Sequence, residues 1–140
     1  MTSNFVRSKF IEKYGEAKYK EFVLSLYDIF PRADNLLFWQ EKLIVELTKE
    51  LGLSQPNTDD VFNIFNYCPV HNVELLDDNV PIINGMELKE PLDINLRKQL
   101  FPLANVNAPR YLDRFEYPKS IDIKYCPSCR DARLNKINSA

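Results

Sequence analysis

Every cysteine and the only histidine of this chain stand in two short stretches, Cys68-Pro69-Val70-His71 and Cys126-Pro127-Ser128-Cys129. Each stretch sets two soft donors three positions apart, the spacing at which one backbone turn offers two ligands to a tetrahedral metal. Three thiolates and one neutral imidazole complete such a shell. Around Zn²⁺ they leave a charge of about minus one, which turn amides and nearby basic side chains offset. The expectation is a structural zinc site of Cys68, His71, Cys126 and Cys129. It obliges the middle of a 140-residue chain to meet its tail.

Other readings of the same residues are weaker. A free cysteine is often buried filler, but chance seldom places four rare donors in two equally spaced pairs, each opening Tyr-Cys-Pro (Tyr67 and Tyr125). A Cys126–Cys129 disulfide would strand Cys68, and no secretory h-region is expected in Met1-Thr2-Ser3-Asn4-Phe5-Val6-Arg7. A thioredoxin-like turn needs several elements after it, and only residues 130–140 follow. A catalytic zinc keeps one position open, whereas four donors close the shell. No second histidine is left to serve as a base in Ser-His-Asp or Cys-His catalysis.

Hydrophobic residues make up 45% of the chain and aromatics 12%, enough for a packed core. The formal net charge of −2 leaves no overall basic footprint for nucleic acid. No apolar run reaches the roughly 18 residues of a membrane span, so no membrane contact and a reducing cytoplasmic location are expected. With three glycines in all, phosphate-cradling loops are not expected, nor does a nucleophile elbow or HExxH pattern occur.

Periodicity divides the chain into a helical first part and a strand-and-loop second part. Ser3 or Asn4 can cap a first helix with Val6, Phe10, Ile11 and Tyr14 inward, stopped at Gly15. A second helix is expected from Glu16 to Ile29 over Tyr19, Phe22, Val23 and Leu26, with Pro31 forbidding continuation. Asp34 would cap a third helix through Leu51, with Leu36, Leu37, Leu43, Ile44 and Leu47 inward and Gly52 at its stop. Residues 54–58 read as the joint, and Thr58 or Asp59 as the cap of a short helical turn over Val61, Phe62, Ile64 and Phe65.

Seven of the nine prolines fall between Pro69 and Pro127, so strands and loops replace long helices there. Residues 73–76 and 80–83, separated by Asp77-Asp78-Asn79, read as a hairpin ended by Asn84-Gly85. Asp93 can cap a helix over 94–100 that Pro102 ends. Residues 120–125 alternate at period two as a strand delivering the second ligand pair, and 130–137 read as a terminal helix. The expected fold is α+β: three N-terminal helices (residues 1–55) packed on a zinc-ribbon-like part (58–140) of short antiparallel strands and a terminal helix, as one compact unit.

The turn at Cys68–His71, the strand end Val80–Gly85 and the late Cys126–Cys129 pair together resemble small bacterial proteins without assigned activity. Those proteins carry Cys-Pro-x-His-Gly, Val-Pro-Ile-x-Tyr-Gly and Cys-Pro-x-Cys. Asn72 replaces the glycine after histidine, a position where asparagine tolerates left-handed backbone, and Asn84 replaces the tyrosine. The resemblance implies a zinc-ribbon-like module and no particular chemistry.

Two functions fit these features. The first is a non-enzymatic protein whose zinc site is structural and whose helical face meets a protein partner or a second copy of the chain. The alternative is nucleic-acid binding through residues 110–136. There Arg110, Arg114, Lys124, Arg130 and Arg133 are interleaved with Tyr111, Phe115, Tyr117 and Tyr125, with a local excess of only three positive charges. An acid–base enzyme using Glu74, Asp77 and Asp78 is a third class, for which a solvated turn is the plainer explanation.

Overall fold

A computed structural model describes residues 3–27, 36–84, 94–110 and 119–138. The fold is α+β. Among the described residues six helices and three strands follow one another as α1 (Ser3–Tyr14), α2 (Glu16–Leu26), α3 (Phe38–Leu51), α4 (Thr58–Ile64), β1 (Leu76–Asn84), α5 (Ile94–Leu100), β2 (Ala108–Arg110), β3 (Ser120–Tyr125) and α6 (Pro127–Asn138). The chain divides into two compact units, Met1–Leu26 with Arg32–Asn66, and Tyr27–Pro31 with Tyr67–Ala140. The division falls after Asn66 rather than in the expected joint at residues 54–58, because α4 packs in the helical unit.

The helical unit is organised around aromatic rings. Phe10, Phe22 and Phe65 are fully buried, and their centroids lie 4.9 Å (Phe10–Phe22), 4.9 Å (Phe22–Phe65) and 5.5 Å (Phe10–Phe65) apart in tilted and edge-on contacts. Such pairs add to area burial because the positive edge of one ring meets the negative face of another. Val23, Leu26, Ile44, Leu47 and Val61 complete the core. Gly15 (φ 92°) turns the chain sharply between α1 and α2, a left-handed conformation that favours glycine.

Two helix starts differ from expectation. Helix α3 begins at Phe38, with Leu37 extended at the cap and 51% exposed, so Leu36 and Leu37 are not part of the helical stripe. Buried Gln40 explains this: its Oε1 accepts from the Leu37 amide at 2.8 Å while its Nε2 donates to Ser25 Oγ at 2.9 Å, tying the helix start to α2. Helix α4 is capped by Asn57 rather than Thr58 or Asp59. The Asp60 amide donates to Asn57 Oδ1 at 2.8 Å and Asp60 Oδ2 accepts from the Asn57 amide at 3.2 Å, a reciprocal capping box. The proposed caps Asp34 and Asp93, and the stops at Pro31 and Gly85, lie outside the described residues.

In the second unit the expected hairpin over 73–83 does not form. Leu76–Asn84 is one continuous strand at the centre of a sheet ordered β2-β1-β3. It pairs antiparallel with β3 from Leu76↔Tyr125 to Pro81↔Ser120, and parallel with β2 from Ile82↔Ala108 to Asn84↔Arg110. Asp77-Asp78-Asn79 reads as a turn by composition, but each side chain finds a partner instead. Asp77 meets Lys124 at 2.7 Å, Asp78 meets Arg130 at 2.8 Å, and Asn79 Nδ2 donates to Asp122 Oδ1 at 2.8 Å. The parallel pairing with β2 needs a crossover, and α5 lies between the two strands in the chain.

Replacing Phe22 by Ala should cost the helical unit about 3–5 kcal/mol, the range for emptying a buried aromatic site, read as a lower urea midpoint. The Tyr14 phenol is pushed up from its ordinary 10.0 to about 12, by burial first and then by the charge and hydrogen bond of Glu46 and the charge of Glu50. The folded state therefore favours the neutral phenol. That contribution is complete below pH 10.0 and fades as pH rises through about 12. Over this window the wild type should lose more thermal stability than Tyr14→Phe.

Candidate metal centre

The register of β1 against β3 brings the two ligand pairs together. Leu76, at the start of β1, faces Tyr125, at the end of β3. One pair of donors precedes the first of these residues and the other follows the second, so both arrive at the same end of the ladder.

The first turn is closed by backbone. The Asn72 amide donates to Cys68 O at 2.8 Å and the Cys68 amide to Val73 O at 2.9 Å, with a bridge between Tyr67 and Glu74 beyond them. Asn72 has φ 55°, the left-handed turn that asparagine can adopt in place of glycine. In the second turn Cys126 leaves β3 and Pro127 opens α6, where its missing N–H costs no helical bond. The Cys129 amide donates to Cys126 Sγ at 3.2 Å and the Arg130 amide to Cys126 O at 3.1 Å.

The four donor atoms of Cys68, His71, Cys126 and Cys129 all lie within 4.8 Å of one another and could hold a metal ion. The His71 atom facing the sulfurs is Nδ1, at 3.7 Å from Cys68 Sγ, 3.7 Å from Cys126 Sγ and 3.3 Å from Cys129 Sγ; Cys68 Sγ is 3.6 Å from Cys129 Sγ. A regular tetrahedron with metal bonds of about 2.3 Å to sulfur and 2.0–2.1 Å to nitrogen has edges of about 3.8 Å between sulfurs and 3.6 Å from sulfur to nitrogen. These distances fit a cation at the centre and are too long for a disulfide. All three cysteines are free and buried, at 0–1% exposure.

Without a cation, three sulfurs this close cannot all be ionised, and the protons divide unevenly. A hydrogen bond from the Cys129 thiol pulls Cys68 down to about 5 against the cost of burial, helped by the backbone amides of His71 and Val70. Cys129 is pushed far up, chiefly because its proton is held by Cys68 and then by burial. Burial also raises Cys126, with the Cys68 charge adding to it. A dication reverses these preferences for all three, since each thiolate then faces a positive charge in place of a negative one.

The segment from Phe101 to Asn105, where the sequence shows no clear pattern, is part of this site. Phe101, Leu103 and Ala104 are buried, and the Leu103 carbonyl accepts from the Cys126 amide at 2.9 Å. The buried polar bonding of a loop is a tertiary matter with no periodic signature. Beside it, Arg130 bonds to Ala104 O, Asn105 O and Asp78 and stacks over Tyr125, with its guanidinium carbon 3.7 Å from the ring centroid.

Of the residues singled out for nucleic acid, Lys124, Arg130 and Arg133 have described side chains. Lys124 is paired with Asp77 and Arg130 is committed to the four contacts just described. Arg133 lies on α6 and is also engaged, while Arg114 and the side chain of Arg110 lie outside the described residues.

No helix among the described residues is long and apolar enough to cross a membrane. Comparison with profiles of known protein families, with curated proteins and with solved structures finds no match. The geometry alone therefore defines the class: an α+β protein with a Cys3His cluster, its three cysteines buried, able to hold a metal ion.

Titration with Co²⁺ should give the intense visible bands of a tetrahedral ion together with sulfur-to-cobalt charge transfer. A pale octahedral spectrum would show that the four donors do not converge on one ion.

Proposed function

We propose that the chain is a non-enzymatic zinc protein in which Zn²⁺, held by Cys68, His71, Cys126 and Cys129, is structural. The observation that carries this reading is the spacing of three buried sulfurs and one imidazole nitrogen at the edges of a tetrahedron. Thiolate-rich tetrahedral sets select zinc over the harder oxygen-seeking Mg²⁺ and Ca²⁺. Four protein donors leave no position for water or substrate, as a structural site requires. The likeness to proteins with Cys-Pro-x-His-Gly and Cys-Pro-x-Cys turns agrees with it.

The metal's contribution is to the second unit. Apparent zinc free energies in small knuckle peptides are about 10–16 kcal/mol, at least as large as the roughly 5–15 kcal/mol net stability of a domain. The helical unit has its own aromatic core and carries the surface for a protein partner: Phe38 is 82% exposed, Leu37 51% and Phe5 43%. Large apolar groups left in water favour association with another protein or a second copy of the chain.

Elemental analysis of the purified protein should find one zinc per chain. Chelation with EDTA should remove the near-ultraviolet signal of the second unit and lower the melting temperature, and added zinc should restore both. An unchanged melting curve after verified metal removal would overturn the structural role.

A further inference from the structure

We propose that Arg130 is the positioning residue of the metal centre: by holding the carbonyls of Ala104 and Asn105 it keeps the Leu103 carbonyl on the Cys126 amide, and so governs how tightly the cation is bound. The inference rests on the zinc reading above and goes beyond the four ligands. Its basis is a closed ring of contacts. The Leu103 carbonyl accepts from the amide of Cys126, the first member of the second ligand pair, at 2.9 Å. The next two carbonyls belong to Arg130, from Nε to Ala104 O at 2.8 Å and from Nη2 to Asn105 O at 3.0 Å.

Arg130 is itself held from two other elements. Its Nη1 meets Asp78 Oδ2 on β1 at 2.8 Å, and its guanidinium plane covers Tyr125 at the end of β3. Asp78 is drawn below the ordinary carboxylate range, first by its hydrogen bond from Arg130. The loop has reason to need this bracing. Asn105 turns the chain at φ 44°, and its side chain is already spent donating to Lys124 O at 2.8 Å, which leaves the carbonyls of Ala104 and Asn105 to Arg130. Only a planar fork with several donors can reach two carbonyls and a carboxylate at once. A lysine ammonium at this position offers one point of charge on a shorter reach.

The chemistry follows from the turn that the Leu103 carbonyl anchors, in which the Cys129 amide donates to Cys126 Sγ at 3.2 Å. An N–H donated to a metal thiolate withdraws charge from it and fixes its lone-pair direction, easing the repulsion among three thiolates around one dication. Partners one step removed from the ligands typically change metal affinity by about 10–100-fold.

The test compares the full-length wild type with Arg130→Lys and Arg130→Gln. Zinc affinity is read by competition with a chromophoric chelator, and the sulfur environment by the charge-transfer bands of the Co²⁺ forms. Both variants should keep the tetrahedral cobalt spectrum, bind zinc about 10–100-fold more weakly and show shifted charge-transfer energy. Unchanged affinity with unchanged charge transfer, in variants that load metal, would overturn the proposal and leave the zinc reading intact. Should the variants fail to fold, wild-type protein loaded with NMR-active cadmium decides. A scalar coupling across the hydrogen bond from the Cys126 amide nitrogen to the Leu103 carbonyl carbon supports the bracket, and its absence overturns it. A wild type that takes up no metal defeats the zinc reading itself and this inference with it.

Discussion

The antiparallel ladder between β1 and β3 is the constraint on which the metal centre depends. Neither ligand pair can move along its strand without carrying the side chains of the ladder with it, because a slip of one residue inverts the faces. The register is marked by charge as well as by shape, with Asp77 opposite Lys124 and Asn79 opposite Asp122. Exposed ion pairs such as Lys124–Asp77 contribute little to stability. Their value here is in specifying the alignment that sets Leu76 beside Tyr125 and the four donors at one end.

The two units solve the problem of small size by different means. The helical unit buries three phenylalanine rings against one another, with polar needs met locally by Gln40, by Thr48 donating to Ile44 O at 2.9 Å, and by Arg7 donating to Ile64 O at 2.7 Å. The second unit has a three-stranded sheet in which one pairing is only three residues long and, among the described residues, fewer large buried side chains. Small domains with thin cores commonly rely on a metal or disulfides. Cys68, Cys126 and Cys129, at 0–1% exposure, occupy the place in its interior that large apolar groups hold in the other unit.

Much of this was legible in the sequence where a local rule governs. The apolar stripe of α2, the left-handed stop at Gly15, the alternation of β3 and the ligand spacing are each decided within a few residues, and each appears where expected. Asn72 shows the same: a residue that tolerates left-handed backbone stands where the turn requires it. The misreadings share one cause, that a distant partner outweighed a local preference. Asp77-Asp78-Asn79 has turn composition, yet Lys124, Arg130 and Asp122, more than 40 positions away, draw it into a strand. Leu36 and Leu37 continue a helical pattern that Gln40 interrupts by bonding to Ser25. The parallel partner β2 and the contribution of Leu103 could not be read at all, since a three-residue strand and a loop carbonyl leave no periodic trace.

Between Cys68 and Cys129 lie 61 positions of chain. Closing a loop of that length forfeits roughly 4 kcal/mol of freedom on the logarithmic law for flexible chains. During synthesis the first two donors and β1 leave the ribosome long before the residues that complete them. A polypeptide cut anywhere ahead of Tyr125 would present a half-coordinated cysteine and a strand lacking its neighbour, while its helical unit could already be folded. Until β3 and the second pair are made, Cys68 and His71 are half of a donor set and β1 is a strand without its antiparallel neighbour.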